Sequence, residues 1–148
     1  MKGWGTDPVL VAAVKEKNAK GETLDAVKKR DIEWRKTDGF DAEMKQLMAN
    51  AAAKKLLEME KSAAYYFELF LMDNQGAIVA MTNKTSDYWQ GDEAKWTESF
   101  KDGHGAVHIG DIEFDESAQD YLVQVSVPVM DGGKAVGAIT IGVVLDDL

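Results

Sequence analysis

The stretch YLVQVSVPVMDGGKAVGAITIGVVL, residues 121–145, decides the fold. Its first half places valines at every second position from 123 to 129, with Gln124, Ser126 and Pro128 between them. This period-two pattern is typical of a β-strand with one packed face. The glycine-rich residues 131–134 then predict a tight turn into a second, more apolar strand. The segment is therefore an antiparallel hairpin whose polar face is either wet or lines a polar cavity.

A second hairpin lies upstream. Residues 65–73 read YYFELFLMD, residues 73–76 are the turn DNQG, and residues 77–82 read AIVAMT. Two apolar runs around a short turn predict paired antiparallel strands. The carboxyl-terminal part of the chain is thus mainly antiparallel sheet.

The first part of the chain is predicted to be helical. Thr6-Asp7-Pro8 is a helix start, and Thr23 can cap a second helix. Asp41 can cap a third and longer helix, because apolar residues recur at three- and four-residue spacing as far as Ala63. We expect two units, a helical extension over 1–40 and a sheet domain over 41–148.

Composition excludes several classes of function. The 148 residues carry a net charge of -9, which disfavours general nucleic-acid binding and docking on anionic membranes. The absence of cysteine excludes disulfides and thiolate metal sites. Met44, Met48 and Met59 recur at helical spacing and are interpreted as core residues, not haem or copper ligands. No cofactor is predicted.

Between the hairpins lies an unusual stretch, residues 82–118, with aromatic side chains among glycines and polar residues. Loops of this length inside a small domain are usually functional. The aromatic residues are candidates to line a pocket, and Thr82, Gln90, Gln124 and Ser126 can offer directional hydrogen bonds.

Over residues 41–148 the chain resembles the Cache (PDC sensor) superfamily. The resemblance lies in the order of its segments, a long helix followed by MDNQGAIVAMT, SDYWQGDEAKW, GDIEFDESA and VPVMDGGKAVGAITIGVVLD. The resemblance implies an α+β fold: a PAS-like antiparallel sheet of five to six strands, backed by a long N-terminal helix that two shorter helices precede. It also implies a sensor module outside the cytoplasmic membrane, with the ligand between the sheet and the aromatic loop. Lining residues carried over from the family are Tyr88, Gln90 and Trp96, with Asp92 holding the loop and Asp115 and Ser117 at the far wall.

One local departure concerns Lys95-Trp96, where members of this branch often have two tryptophans. A lysine at this position either pairs with a ligand carboxylate or points into water, and we expect water. The second departure is that the family's modules usually lie between membrane helices, which this sequence does not show. The well-capped leading helices favour a stand-alone protein over an excised receptor domain.

The expected function is recognition of a small polar metabolite, such as a carboxylate, an amino acid or an amine, for signal transduction or chemotaxis. Ordering of the loop from Tyr88 to Trp96 is the expected signal. A membrane receptor or kinase is the expected partner, and the N-terminal helices are candidates to form a homodimer.

Two alternatives come from other classes. Asp111, Glu113 and Asp115 alternate along a predicted strand near Glu116 and Asp120, a pattern suited to calcium or to a metal-dependent enzyme; His108 would be needed for zinc. A Ser117, His108 and Asp111 set is the hydrolytic version of this alternative. The other alternative is a structural dimerisation module.

Overall fold

Six strands form one antiparallel sheet, and five helices surround it in the computed structural model, which describes residues 1–148. The helices are α1 (Pro8–Ala19), α2 (Leu24–Lys36), α3 (Ala42–Leu47), α4 (Ala51–Glu60) and α5 (Ala94–Phe100). The strands are β1 (Tyr66–Met72), β2 (Ile78–Met81), β3 (His108–Ile109), β4 (Glu113–Asp115), β5 (Asp120–Asp131) and β6 (Lys134–Val144). The predicted α+β class with a PAS-like sheet is confirmed.

The strand order is β2-β1-β6-β5-β3, and β4 pairs with β5 beside β3. Both predicted hairpins are present, since β1 pairs with β2 and β5 pairs with β6. The long strands β5 and β6 form the centre of the sheet. Strand β1 then lies against the outer edge of β6, which brings the two hairpins together.

The helix starts follow the capping residues that the sequence offers. Asp7 accepts hydrogen bonds from the backbone of Val9 and Leu10 and thereby begins α1, with Pro8 in its first turn. Thr23 caps α2 and Asp41 caps α3 in the same manner. These three starts are confirmed.

The predicted long helix is in fact two helices, α3 and α4, which is a correction. Asn50 lies between them with extended backbone, and its side chain accepts a hydrogen bond from Ala53 N at 2.8 Å while donating to Val79 O at 3.1 Å. A new helix therefore begins at Asn50. The apolar residues keep their helical spacing across this break, but those of α3 and those of α4 pack into different cores.

One core fills the sheet face covered by α1 and α4. Its buried members include Leu10 and Val14 from α1, Leu56 from α4 and Ile139 and Ile141 from β6. The valines of β5 pack against the same cluster, as their alternation predicts. Polar residues of β5 are consequently left for the opposite face.

The second core combines helices α2 and α3 with the end of the β1–β2 hairpin. Val27 and Trp34 of α2 are fully buried there, together with Met44 of α3 and Tyr88. The segments 1–40 and 41–148 thus share both cores. The region 82–118 also contains more regular structure than expected, namely α5 and the short strands β3 and β4.

Candidate ligand-binding site

The segment that follows β2 turns back and runs beside the β1–β2 turn. Tyr88 O accepts a hydrogen bond from Ile78 N, and Gln90 N donates to Gly76 O at 2.7 Å. Glycine is required at the crossing point: a Cβ on Gly76, which has φ +87°, would lie 2.5 Å from Gly91 Cα. We call residues 84–93 the aromatic loop, and this close approach fixes its position on the sheet.

The aromatic loop is held from the other side by a buried carboxylate of α2. Asp31 is 7% exposed, and its Oδ1 accepts hydrogen bonds from Tyr88 N and Trp89 N, both at 3.0 Å. Arg35 pairs with Oδ2 at 3.2 Å. The indole of Trp34 donates to Thr85 O at 2.9 Å. Helix α2 therefore positions the loop directly.

A cavity of about 450 Å³ lies between the aromatic loop and the polar face of the sheet. Its walls come from the end of α2, the loop, β1, β5, α5 and the turn after β4. The lining residues are Trp34, Arg35, Glu68, Phe70, Lys84, Thr85, Ser86, Gln90, Lys95, Asp115, Ser117 and Gln124.

Three cationic side chains line this cavity. Lys84 Nζ donates to Thr37 O and Gly39 O, both at 2.8 Å, and Arg35 is paired with Asp31. Lys95 lies above the ring of Phe70, at 5.7 Å from the ring centroid, and only 3.9 Å separates it from a carboxylate oxygen of Glu93. Lys95 is thus the least engaged of the three.

Two carboxylates, those of Glu68 and Asp115, line the same cavity. Burial raises the pKa of Glu68, and the charge of Asp115 raises it further, although a hydrogen bond from Asn83 opposes the shift. Glu68 has φ +54° at an irregularity in the pairing of β1 with β6. Positive φ is strained for a residue with a side chain. The irregularity places an acidic side chain beside the cavity at the expense of backbone strain.

Gln90 is the most buried polar residue of the cavity wall, at 2% exposure. Its amide nitrogen donates to Asp87 O at 2.9 Å, which fixes the orientation of the amide group. The amide oxygen has no hydrogen-bond partner in the chain. Buried acceptors without a partner are rare in folded proteins, so this oxygen calls for an explanation.

Of the predicted site residues, three lie together in this cavity: Gln90, Asp115 and Ser117. Gln124, predicted from the alternation in β5, joins them. Tyr88 lies outside the cavity lining, because its ring turns to the α1–α3 side of the loop. There its hydroxyl accepts a hydrogen bond from Lys17 Nζ at 2.9 Å, within a separate cleft of about 230 Å³.

The remaining predicted residues also lie outside the cavity lining. Trp96 donates to Asp73 O at 2.9 Å, and Asp92 is exposed. Thr82 donates to Glu60 at 2.7 Å and accepts from Leu69 N. Ser126 is fully buried against Thr140, with 2.8 Å between the two hydroxyl oxygens. Each of these polar groups has a partner or faces solvent.

Several lining residues escaped the sequence reasoning. Arg35 and Trp34 come from the predicted helical extension, and Glu68 reaches the cavity only through the β1 irregularity, for which its own sequence carries no signal. Lys95 was expected to point into water, but it lines the cavity and its side chain is only 22% exposed. Among these lining residues, only Phe70 was indicated by the sequence, because the apolar pattern of β1 predicts that it is buried.

A smaller cavity of about 340 Å³ adjoins the first, with Lys95 and Gln124 in both linings. His108, Asp111 and Glu113 line it, whereas Asp115 faces the larger cavity. Nowhere in the chain do three His, Asp or Glu side chains converge as a metal site would need. The acidic run along β4 is therefore divided between two cavities, and Ser117 and His108 are likewise separated.

Comparisons with known proteins place the fold. No protein-family model matches the sequence, and no curated protein matches it. The ligand-binding domain of the Pseudomonas aeruginosa amino acid chemoreceptor PctC, solved in complex with GABA, matches at 13% identity and a TM-score of 0.51, over 93% of this chain and 57% of that one. The sensor domain of the V. cholerae histidine kinase DctB matches at 17% identity and a TM-score of 0.47, over 72% and 45%. The sensory domain of the Campylobacter jejuni chemoreceptor Tlp3, with isoleucine bound, matches at 13% identity and a TM-score of 0.45, over 94% and 56%.

The chain therefore has the fold of the PctC ligand-binding domain, and the α+β fold that the resemblance implied is confirmed. The chain spans about half the length of these solved structures. None of its helices has the length and apolar character of a membrane span.

Proposed function

We propose that this chain is a sensor domain that binds a small polar metabolite, a carboxylate, an amino acid or an amine, in the cavity beside the aromatic loop. The observation that carries the proposal is the formed cavity, whose wall includes Gln90, a residue with a buried amide oxygen that has no partner in the chain. Buried polar groups without partners are retained at functional sites more readily than in ordinary cores.

The size and chemistry of the cavity support this function. Ligand pockets commonly measure about 300–1,000 Å³, and this cavity of about 450 Å³ suits a small molecule. Phe70 offers apolar surface, while Lys95, Glu68 and Asp115 offer charges of both signs. Such a lining favours a compact polar ligand over an extended apolar one.

Two further observations support binding without turnover. No hydroxyl of the cavity forms a hydrogen bond with a histidine. His104 is exposed and its ring nitrogen lies within hydrogen-bond distance of Lys101 O, whereas His108 lines the adjoining cavity. A nucleophile with its base, which hydrolysis would need, is thus not assembled. The fold is also shared with a chemoreceptor domain that binds GABA. We accordingly assign the domain to recognition and not to catalysis.

The location and the partners belong to the same proposal. We place the domain outside the cytoplasmic membrane, where it would act on a receptor or kinase. Its signal would pass from the aromatic loop to α2, because Asp31 and Trp34 hold the loop by side-chain hydrogen bonds. A homodimer through the N-terminal helices would then relay a movement of α2.

Calorimetric titration with organic acids, amino acids and amines tests the function. Ser117→Trp fills the mouth of the cavity from an exposed position and is expected to weaken binding of any true ligand by at least tenfold. Ser62→Trp, an exposed serine that follows α4 and lies outside this cavity, is the matched control. Binding that is equal in both variants, or no binding across the panel, would contradict the proposal.

A further inference from the structure

Two carboxylates of the cavity lining, those of Glu68 and Asp115, have few hydrogen-bond partners in the chain. Asp115 Oδ1 accepts a hydrogen bond from Ala118 N at 2.9 Å, and Glu68 Oε1 accepts a long one from Asn83 at 3.2 Å. Neither carboxylate forms a salt bridge with a lysine, arginine or histidine of the chain. Their remaining oxygens, together with Gln90 Oε1, have no partner in the protein.

The cations that line the cavity do not neutralise these carboxylates. Lys84 is engaged with two backbone carbonyls, and Arg35 is paired with Asp31. Lys95 is nearest to Glu93 and the ring of Phe70. Two half-buried negative charges in one cavity repel each other, which is unfavourable for the folded chain unless a positive charge enters.

The position of Glu68 indicates that this arrangement is maintained despite its strain. Glu68 occupies a positive-φ conformation at the irregularity between Phe67 and Leu69, where glycine would be the unstrained choice. Strain of this kind concentrates at ligand-binding sites. Gln90, which belongs to a different element, lines the same cavity and carries a buried amide oxygen without a partner.

We infer that the ligand carries a protonated amino group, which pairs with the carboxylates of Glu68 and Asp115. This inference rests on the proposed function and narrows its ligand class from three to one. An ammonium group matches the cavity because it brings one positive charge and several donors, and no acceptor. An anionic metabolite without an amino group would leave both carboxylates without a cationic partner.

Calorimetry with three four-carbon probes tests this assignment at pH 7.5: 1,4-diaminobutane, its N,N′-diacetyl derivative and succinate. We expect binding of the diamine, with at least a tenfold loss on acetylation and at least a tenfold loss in Glu68→Gln. Glu98→Gln, which removes the same charge from an exposed position of α5, is expected to leave the affinity unchanged. Circular dichroism verifies that each variant is folded.

The outcomes separate this inference from the proposed function. Succinate bound most tightly, with binding lost in Ser117→Trp, would keep the cavity as the ligand site and overturn the amine assignment. Diamine binding that is equally weakened by Glu98→Gln, or that survives Ser117→Trp, would reflect the general negative charge of the protein and would also overturn it. If none of the three probes binds, the amine assignment is wrong, while the wider panel still decides the proposed function.

Discussion

The carboxylate of Asp31 on α2 accepts a hydrogen bond from the backbone N–H of Tyr88 at 3.0 Å, and the same oxygen accepts from Trp89. A single buried side chain from the leading helices thereby holds the loop that borders the cavity. Trp34 of the same helix adds a hydrogen bond to Thr85 O, so α2 contacts the loop at both of these points.

Asp31→Ala removes this link and leaves the N–H groups of Tyr88 and Trp89 without an acceptor. Each unsatisfied buried donor costs about 1–3 kcal/mol, so we expect the free energy of unfolding to fall by about 2–4 kcal/mol. Urea denaturation measures the loss, and hydrogen exchange at these two amides should accelerate. Glu33→Ala, an exposed position of the same helix, is the control, with a change within about 0.5 kcal/mol. Equal stability of the two variants would show that the link is unimportant.

Tyr88→Phe separates the loop's structural role from ligand contact. The hydroxyl of Tyr88 accepts from Lys17 on the side of the loop away from the cavity, and this bond helps to raise the pKa of Lys17 to about 12 against the opposing effect of burial. We expect stability to fall by about 1.5–3 kcal/mol, because hydrogen bonds to charged groups contribute about this much. Ligand affinity is expected to stay within twofold. A folded variant that no longer binds would restore Tyr88 to the site, as the family resemblance implied.

The sequence predicted the sheet better than the cavity because the two depend on different information. Alternation in β5 is a local pattern, and it correctly separated the valine face from Gln124. The capping residues Thr23 and Asp41 were equally local. These features follow from rules that act over a few residues, and they were confirmed.

The cavity instead depends on contacts between distant segments. Tyr88 and Gln90 are two residues apart in an irregular loop, yet they line different cavities, and the loop is positioned by the crossing at Gly76 and Gly91 and by Asp31. Glu68 reaches the cavity because the pairing of β1 with β6 is irregular at this residue, and no residue type in the sequence predicts that irregularity. Trp34 and Arg35 belong to a helix that was expected to lie apart from the sheet domain. Position in space, and not residue type, made these residues unpredictable.

The crossing of Gly76 and Gly91 has its own consequence. A Cβ on Gly91 would lie 2.3 Å from Trp89 Nε1 and 2.4 Å from Gln75 O, so Gly91→Ala must displace the loop or the β1–β2 turn. We expect a loss of at least about 2 kcal/mol, in the range of overpacked and strained positions. Gly110→Ala, whose Cβ would meet only Gln124 O at 3.4 Å, is expected to cost less than about 1 kcal/mol. Comparable losses in the two variants would argue against a tight crossing.

Glu68 predicts a pH-dependent trade between stability and binding. Its folded-state pKa lies above the ordinary value of 4.5, mainly through burial and then through the charge of Asp115, with Glu60 adding to the shift and Asn83 opposing it. The folded chain therefore holds the proton more tightly than the unfolded chain. Stability is greatest below pH 4.5 as far as this group is concerned, and it declines as the pH rises through the raised pKa.

Glu68→Gln should accordingly melt at a higher temperature than the parent protein at pH 7, and the difference should shrink toward zero below pH 4.5. The same substitution is expected to weaken amine binding, so it would gain stability where it loses affinity. Arg35, Lys84 and Lys95 also line the cavity. Differential scanning calorimetry from pH 4 to pH 8 measures the effect. A lower melting temperature for Glu68→Gln at pH 7 would show that the carboxylate is stabilised by its surroundings.

Removal of residues 1–40 tests whether the leading helices are separable. Leu10, Val14, Val27 and Trp34 are fully buried in the two cores, and each such side chain contributes roughly 1.5–3 kcal/mol of burial. Together they supply about 6–12 kcal/mol, which equals most of the 5–15 kcal/mol that stabilises a typical domain. We therefore expect the fragment 41–148 to lack a cooperative thermal transition and fixed near-ultraviolet dichroism. Leu24→Ala, at an exposed position of α2, serves as the control and should change stability by less than about 0.5 kcal/mol. A fragment that melts cooperatively near the temperature of the full chain would instead establish the helices as an extension, free to form the dimer that the sequence predicts.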